Sequence, residues 1–342
     1  MKLTILSFLI LFFLSNTAVS EDITYTEGDF SYYMTNEGAV LVDWENSGEK
    51  LPLSTLIVPN TLGGKPVIGI GSGTFASSQS EPITDPLEIV IPEGVVFLED
   101  GAFTDCCEAS IICLPSTLET ISEGSMFHVK AEITFPQGNP FYVMNKGFLV
   151  DTRSETLLYS SPCSSEEAIP PVMYLGEQCL DNWLTDKTDV VLPDSISAIG
   201  TGVFYDLPDL ENVVLPAKLA TLSPYSFNAT GIKELAIPST ITQIPAYCFV
   251  DCAFTSISIP NGVEYIGEYA FYYNWELTEV TLSESVQFVG YNAFPEECSI
   301  ITVNPATHFE TLDEYQVRDP NGEWWEQVAY PITNELTQHV NR

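Results

Sequence analysis

Four consecutive stretches of this chain share one pattern: apolar-x-apolar-Pro, an apolar residue three and six positions after the proline, and phenylalanine eleven after it. The pattern reads LENVVLPAKLATLSPYSF at 210–227, IKELAIPSTITQIPAYCF at 232–249 and FTSISIPNGVEYIGEYAF at 254–271. LTEVTLSESVQFVGYNAF at 277–294 places Ser283 in the proline position. The anchors Pro193, Pro216, Pro238, Pro260 and Ser283 are spaced 23, 22, 22 and 23 residues. A fixed period of this length leaves few alternatives. One turn of chain has no core of its own, so it must bury its apolar edge against the turns before and after it, which makes a solenoid.

The residues inside one repeat say how each turn is built. Strand side chains alternate, so in LENVVLP Val213 and Leu215 face one way and Asn212, Val214 and Pro216 the other. Parallel strands stack at about 4.8 Å, and about ten coils would give a sheet near 50 Å long. Proline has no N–H to donate to a ladder and stands where each strand ends. Leu219, Leu222 and Phe227 then turn inward. Phe103, Phe204, Phe227, Phe249, Phe271 and Phe294 are expected to form a stacked aromatic spine.

Other segments extend or interrupt the array. The first coil, 54–75, is expanded by a Gly-Gly-Lys turn; 86–103 and 109–126 follow in register, with Met126 in the phenylalanine position. After Pro136 the period breaks. NPFYVMNKGFLVDTRSETLLYSSP at 139–162 alternates on both sides of Asn145–Gly147, predicting a hairpin inserted within 136–168. Repeats resume one residue short after Pro170, continue at 187–204, and close with SIITV at 299–303. Residues 21–53, with a hairpin about Asn36–Gly38, read as a β cap over the first coil. Residues 304–342 read as a C-terminal cap or tail, with a second hairpin about Asp319–Gly322. Residues 1–20, with Lys2, an apolar run of about 12 residues and small Ala18 and Ser20, read as a secretory signal peptide; that run is too short to span a bilayer.

The I/L-P-x-x-I/V-x-x-I-G-x-x-A-F strings, clearest at 259–271, and the cysteines three residues after phenylalanine, Cys106 and Cys252, resemble BspA-type leucine-rich repeats. The resemblance covers about 54–303, and 21–53 is similar to the family's opening segment. It implies a mostly β, α/β-class solenoid: a right-handed leucine-rich-repeat superhelix with one parallel sheet, capped by hairpins at both ends. It also implies secretion or display on a cell surface, adhesion or protein binding, and no catalytic residues.

Charge narrows the partners. The chain carries 11 basic and 47 acidic residues, a net charge of −36. Nucleic acid and anionic lipid faces would be repelled, and no membrane insertion is expected. Like charge keeps copies apart, so a monomer is expected. Adaptation to salt and weak divalent-cation binding are livelier readings of the same charge. There is no EF-hand, glycine-aspartate calcium repeat or CxxC zinc spacing, so neither a metal nor another cofactor is expected. His128, His308 and His339 are scattered, without a Gly-x-Ser-x-Gly or His-Glu-x-x-His motif, so no enzyme is expected. Of eight cysteines, Cys106, Cys179, Cys248 and Cys252 fall in inward positions, whereas Cys107, Cys113 and Cys163 are candidates for disulfides.

Two surfaces could bind a partner. Four residues before each proline position stand Glu88, Ile111, Glu132, Asp189, Asn212, Glu234, Ser256 and Glu279; two before it stand Val90, Cys113, Thr134, Val191, Val214, Ala236, Ser258 and Thr281. Together they make an acidic stripe beside a small, apolar-to-hydroxyl stripe. It is either a surface for a basic, extended ligand or a solvated sheet face. Trp324 and Trp325 in the tail either stack on a sugar or protein partner or cover the open end of the last coil. The function expected is an exported module that binds a protein or glycan without catalysis. A structural spacer and a hydrolase with an unrecognised site are the alternatives.

Overall fold

The computed structural model describes residues 24–44, 55–76, 87–106 and 109–311. The signal peptide, Cys107, Trp324, Trp325 and the C-terminal hairpin expected about Asp319–Gly322 lie outside these residues. The chain winds into a mostly β solenoid of about 10 turns with almost no helix. Apart from short 3-10 turns at Glu123–Met126 and Pro162–Ser164, the described elements are strands.

Most regular coils contribute two strands where the sequence suggests one. The first carries the apolar-x-apolar motif, as in Leu87–Val90, Ala109–Cys113 and Glu132–Thr134, which pair parallel and in register. The second is the two-residue step about the next apolar pair: Ala198–Ile199 pairs with Thr221–Leu222, and Tyr265–Ile266 with Phe288–Val289. Two parallel ladders therefore run up the solenoid, not the single sheet the repeat predicts. The second is hidden in the sequence because two residues are too few to show a period-two pattern.

Between the ladders lies the core. Phe103, Phe204, Phe227, Phe249 and Phe271 have no exposed surface, and Phe294 is buried. The rings of Phe204, Phe227, Phe249, Phe271 and Phe294 stack in single file, whereas Phe103, expected in the same spine, lies in the core of the N-terminal coils and stacks on Phe75 (5.0 Å). Centroids are 4.8 Å apart for Phe204–Phe227, 5.2 Å for Phe227–Phe249, 5.0 Å for Phe249–Phe271 and 5.2 Å for Phe271–Phe294. That spacing is the interstrand distance, so ring stacking and ladder hydrogen bonds reinforce one register. Three residues past the phenylalanine, a small polar group meets the exposed main chain. Thr230 Oγ1 and Cys252 Sγ both donate to the Phe227 carbonyl (3.1 Å each), and Asn274 Nδ2 donates to the carbonyls of Phe249 and Phe271 (2.7 and 2.8 Å). The inward cysteines are thus small core groups and carbonyl caps.

The corner before the phenylalanine turns through left-handed backbone, at Tyr225, Tyr247 and Tyr269 with φ of 58°, 59° and 54°. Just ahead of it coils approach so closely that a Cβ on Gly267 would run into the main chain of Ala246. Gly267→Ala is expected to cost about 1–3 kcal/mol by overpacking, read as a lowered urea midpoint; an unchanged midpoint would mean that the coils do not touch there.

The insertion is larger than a hairpin. Tyr142–Asn145, Phe148–Asp151 and Thr156–Ser160 form an antiparallel three-stranded meander, whose last strand pairs parallel with Tyr174–Leu175. It is apolar on both faces. Leu149, Leu158 and Tyr159 join the core of the N-terminal coils, while Phe148, Val150 and Leu157 join that of the C-terminal coils. The meander is a wall between two cores. Asn139 fastens its start by donating to the carbonyls of Pro115, Ser116 and Leu118 in the coil before, and Tyr159 Oη donates to those of Val129 and Ala131. At the other end of the chain, Phe30–Met34 and Ala39–Trp44 pair antiparallel, and the second strand joins the ladder at Lys65–Ile70.

Candidate functional site

The first ladder presents one face to solvent. Register places Thr55, Glu88, Ile111 and Glu132 in one row, Asp189 beside Asn212, and Ser256, Glu279 and Ser299 in a third row. Within each row acidic residues are not adjacent: Glu88 and Glu132 are two strand steps apart, about 10 Å, near the screening length at physiological salt. Several are tied to neutral neighbours. Thr55 Oγ1 and Cys113 Sγ donate to Glu88 (3.3 Å each), and Asp189 accepts from Thr188 Oγ1 (2.8 Å) and Asn212 Nδ2 (2.7 Å). Those two bonds hold the Asp189 carboxyl below its ordinary range, so it stays ionised.

The companion row is apolar and open only in part, with hydroxyls at Thr134, Ser258 and Thr281. Ile57, Val191 and Val214 are 67%, 70% and 56% exposed, whereas Val90 is half-buried and Cys113 buried. Glu234 is exposed but belongs to no ladder.

The stripe is not continuous. The first ladder runs from Thr55–Ile57 to Glu132–Thr134, resumes as Asp189–Val191 with Asn212–Val214, and resumes again at Ser256–Ile259. At the second break the chain keeps the repeat, with Ile237 buried and Leu235 packed on the core, but forms no ladder strand. The first break is structural. The coil after the meander turns through Pro162–Ser164, the Glu167 N–H returns to the Ser164 carbonyl (2.9 Å), and the Glu167 carbonyl is taken by Trp183 Nε1 (2.8 Å). Pro170 and Pro171 have no N–H to offer. A cavity of about 390 Å³ opens there, lined by Ala168, Ile169, Trp183, Lys187 and the strand residues Asp189–Val191.

Cys113 and Cys163 are free thiols, not disulfide partners. Cys113 sits in the regular strand Ala109–Cys113, accepting from Thr134 Oγ1 (3.3 Å), and burial raises its pKa. Cys163 is exposed, beside Ser161.

The structure also gathers titratable groups that separate readings of the sequence do not. His128 Nδ1 lies 2.8 Å from Asp105, and its Nε2 4.0 Å from Asp181. Glu177, whose N–H donates to Glu123 Oε2 (3.1 Å), is pushed up to about 7 by burial first and by Glu123 and Asp100 next. Burial raises Asp181 to about 6 against the pull of His128. A column reading could have found them, since Asp105 and His128 both stand two residues past the phenylalanine position, and Asp100 and Glu123 three before it. Among the described residues no set of three or more His, Cys, Asp or Glu side chains is arranged to hold a metal ion.

Stacked, register-locked coils with a solvent-facing ladder define a β-solenoid repeat protein. The family model for the BspA type leucine rich repeat region matches residues 52–139, 163–253 and 242–319, in six copies, and the chain belongs to that family. None of the curated proteins matches it. Among solved structures it is similar to the pneumococcal vaccine antigen PcpA, at 12% identity and TM-score 0.42 over 83% of this chain and 94% of that one. A leucine rich cell surface protein from Faecalibacterium prausnitzii shares 15% identity at TM-score 0.39 over 87% and 98%. A leucine-rich repeat protein from Bacteroides ovatus shares 14% at TM-score 0.37 over 83% and 90%.

Proposed function

We propose that this chain is an extracellular binding module whose outer ladder takes a basic, extended protein segment. The observation that carries this reading is the placement of open apolar side chains, Ile57, Val191 and Val214, beside the carboxylates Glu88 and Asp189, which the ladder holds in the neighbouring row. A face that only needed solvation would carry polar groups at both positions; large exposed apolar side chains in rows are instead the mark of a contact surface. Membership in a leucine-rich-repeat family supports protein binding over catalysis. The carboxylates supply the sign of the partner, because opposite charge across an interface steers encounter and fixes register.

The test is titration of the intact chain with a peptide of about eight alternating valine and lysine residues, at about 0.05 M and about 0.5 M salt. Saturable binding that weakens with salt is expected, together with loss of that salt dependence in the charge-reversed pair Glu132→Lys and Asp189→Lys. An unchanged affinity and salt dependence in that variant, or no binding, would reject the reading and leave the rigid spacer in its place.

A further inference from the structure

The interruption after Glu132–Thr134 leaves something that a continuous ladder would not: a free strand edge inside a cavity. Among the described residues Asp189–Val191 is paired on one side only, with Asn212–Val214. The bonds show which main-chain groups are used. The Thr188 carbonyl accepts from the N–H groups of Glu211 (2.8 Å) and Asn212 (3.1 Å), and the Leu192 N–H donates to the Val214 carbonyl (3.1 Å). Main-chain groups of alternate residues in a strand point to opposite edges, so those of Asp189 and Val191 face the interruption. Among the described residues no main-chain group reaches them from that side.

We propose that this edge is a strand-addition site, at which an extended basic segment pairs with the main chain of Asp189 and Val191 and seats an apolar side chain against Ile169 and Trp183. The proposal rests on the reading of the outer face above and gives it a place and a binding mode. Three features select the occupant. An exposed edge offers N–H and C=O groups in the spacing of a strand and of nothing else, which specifies an extended main chain. The cavity floor is apolar: Ile169 and Trp183 are buried, with the indole ring fixed by its bond to Glu167.

Charge supplies the third. The break is flanked in register by the exposed carboxylates Glu132 and Asp189. Among the described residues the one cation in the lining, Lys187, is held by the protein itself, its Nζ 4.4 Å from the Trp183 ring centre and 2.9 Å from the Ser165 carbonyl. A second copy of this acidic chain would be repelled from the same edge, so the charge that admits a basic segment also prevents edge-to-edge self-pairing.

The experiment is amide hydrogen exchange and binding with the alternating valine–lysine peptide. In the free protein the N–H groups of Asp189 and Val191 should exchange faster than those of Val190 and Leu192, and saturating peptide should slow them. Val191→Pro removes the N–H that faces the break while leaving the ladder to Asn212–Val214, a position an edge strand tolerates. It should weaken binding roughly tenfold through the lost hydrogen bond; Val191→Thr, which keeps the N–H, should bind as the unmodified chain does. If Val191→Pro does not fold, a peptide N-methylated at alternate amides makes the same measurement from the other side.

The proposal is overturned if the peptide binds, with its dependence on Glu132 and Asp189 intact, yet neither Val191→Pro nor N-methylation weakens it and protection appears elsewhere. In that outcome the outer-face reading survives. If the peptide binds nowhere, both fall.

Discussion

Phe249→Ala is expected to destabilise the solenoid by about 3–5 kcal/mol, the usual cost of emptying a fully buried aromatic site. Phe249 has no exposed surface, stacks between Phe227 and Phe271, and meets Phe254 edge-on at 5.8 Å. No neighbour can collapse into the gap, because every coil is pinned in register by its own hydrogen bonds. The Phe249 N–H donates to the Ala270 carbonyl (2.8 Å) and the Phe227 N–H to that of Cys248 (3.0 Å). Phe294, which among the described residues stacks on Phe271 alone, should cost less on the same substitution. Coils interact with nearest neighbours, so central truncation should also split the urea transition into two. A single transition moved by well under about 1 kcal/mol would show that the ring does not fill the tube.

The second large effect is with pH. Glu177 is raised to about 7 and Asp181 to about 6, both chiefly by burial. In the unfolded chain these groups ionise near 4. Between about pH 4 and about pH 7 the folded state therefore holds more protons than the unfolded one, and stability falls as pH rises. Their contribution is fully present below about pH 4 and lost once pH passes the folded values. A tenfold change in proton affinity is worth about 1.4 kcal/mol, so the upper limit for the pair is on the order of 7 kcal/mol, before partial solvent screening reduces it. Self-repulsion in a chain of net charge −36 acts in the same direction, so the variant Glu177→Gln is needed to separate them. It should flatten the fall between about pH 5 and about pH 7 and raise stability at about pH 8 by on the order of 2 kcal/mol. Urea midpoints across that range measure it; an unaltered slope in the variant would mean that Glu177 is solvated.

Both effects arise where coils stack, and the sequence shows stacking unevenly. The phenylalanine spine is legible because Phe204, Phe227, Phe249, Phe271 and Phe294 recur at the period of the whole coil. The outer rows are legible in register for the same reason. Their interruptions are not. The break before Asp189 comes from a turn at Pro162–Ser164 and from Trp183 capturing the Glu167 carbonyl, contacts between residues that fall outside any repeating position.

The meander reads as a hairpin in the sequence because its third strand, Thr156–Ser160, is buried throughout and so has no alternation to display. Cys113 suggests a disulfide in an irregular segment, yet it belongs to a regular strand and packs beside Thr134 and Glu88. The pocket at Ile169 and Trp183 has no motif at all. It exists because one coil fails to supply a strand, and a missing element leaves no pattern.

The most direct test of the stacked-coil account is ring-to-ring NOE spectroscopy on protein labelled only at phenylalanine. With centroids 4.8–5.2 Å apart, cross-peaks should link Phe204 to Phe227, Phe227 to Phe249, Phe249 to Phe271 and Phe271 to Phe294, with none skipping a coil. Cross-peaks between Phe204 and Phe249, or none between rings one repeat apart, would contradict it.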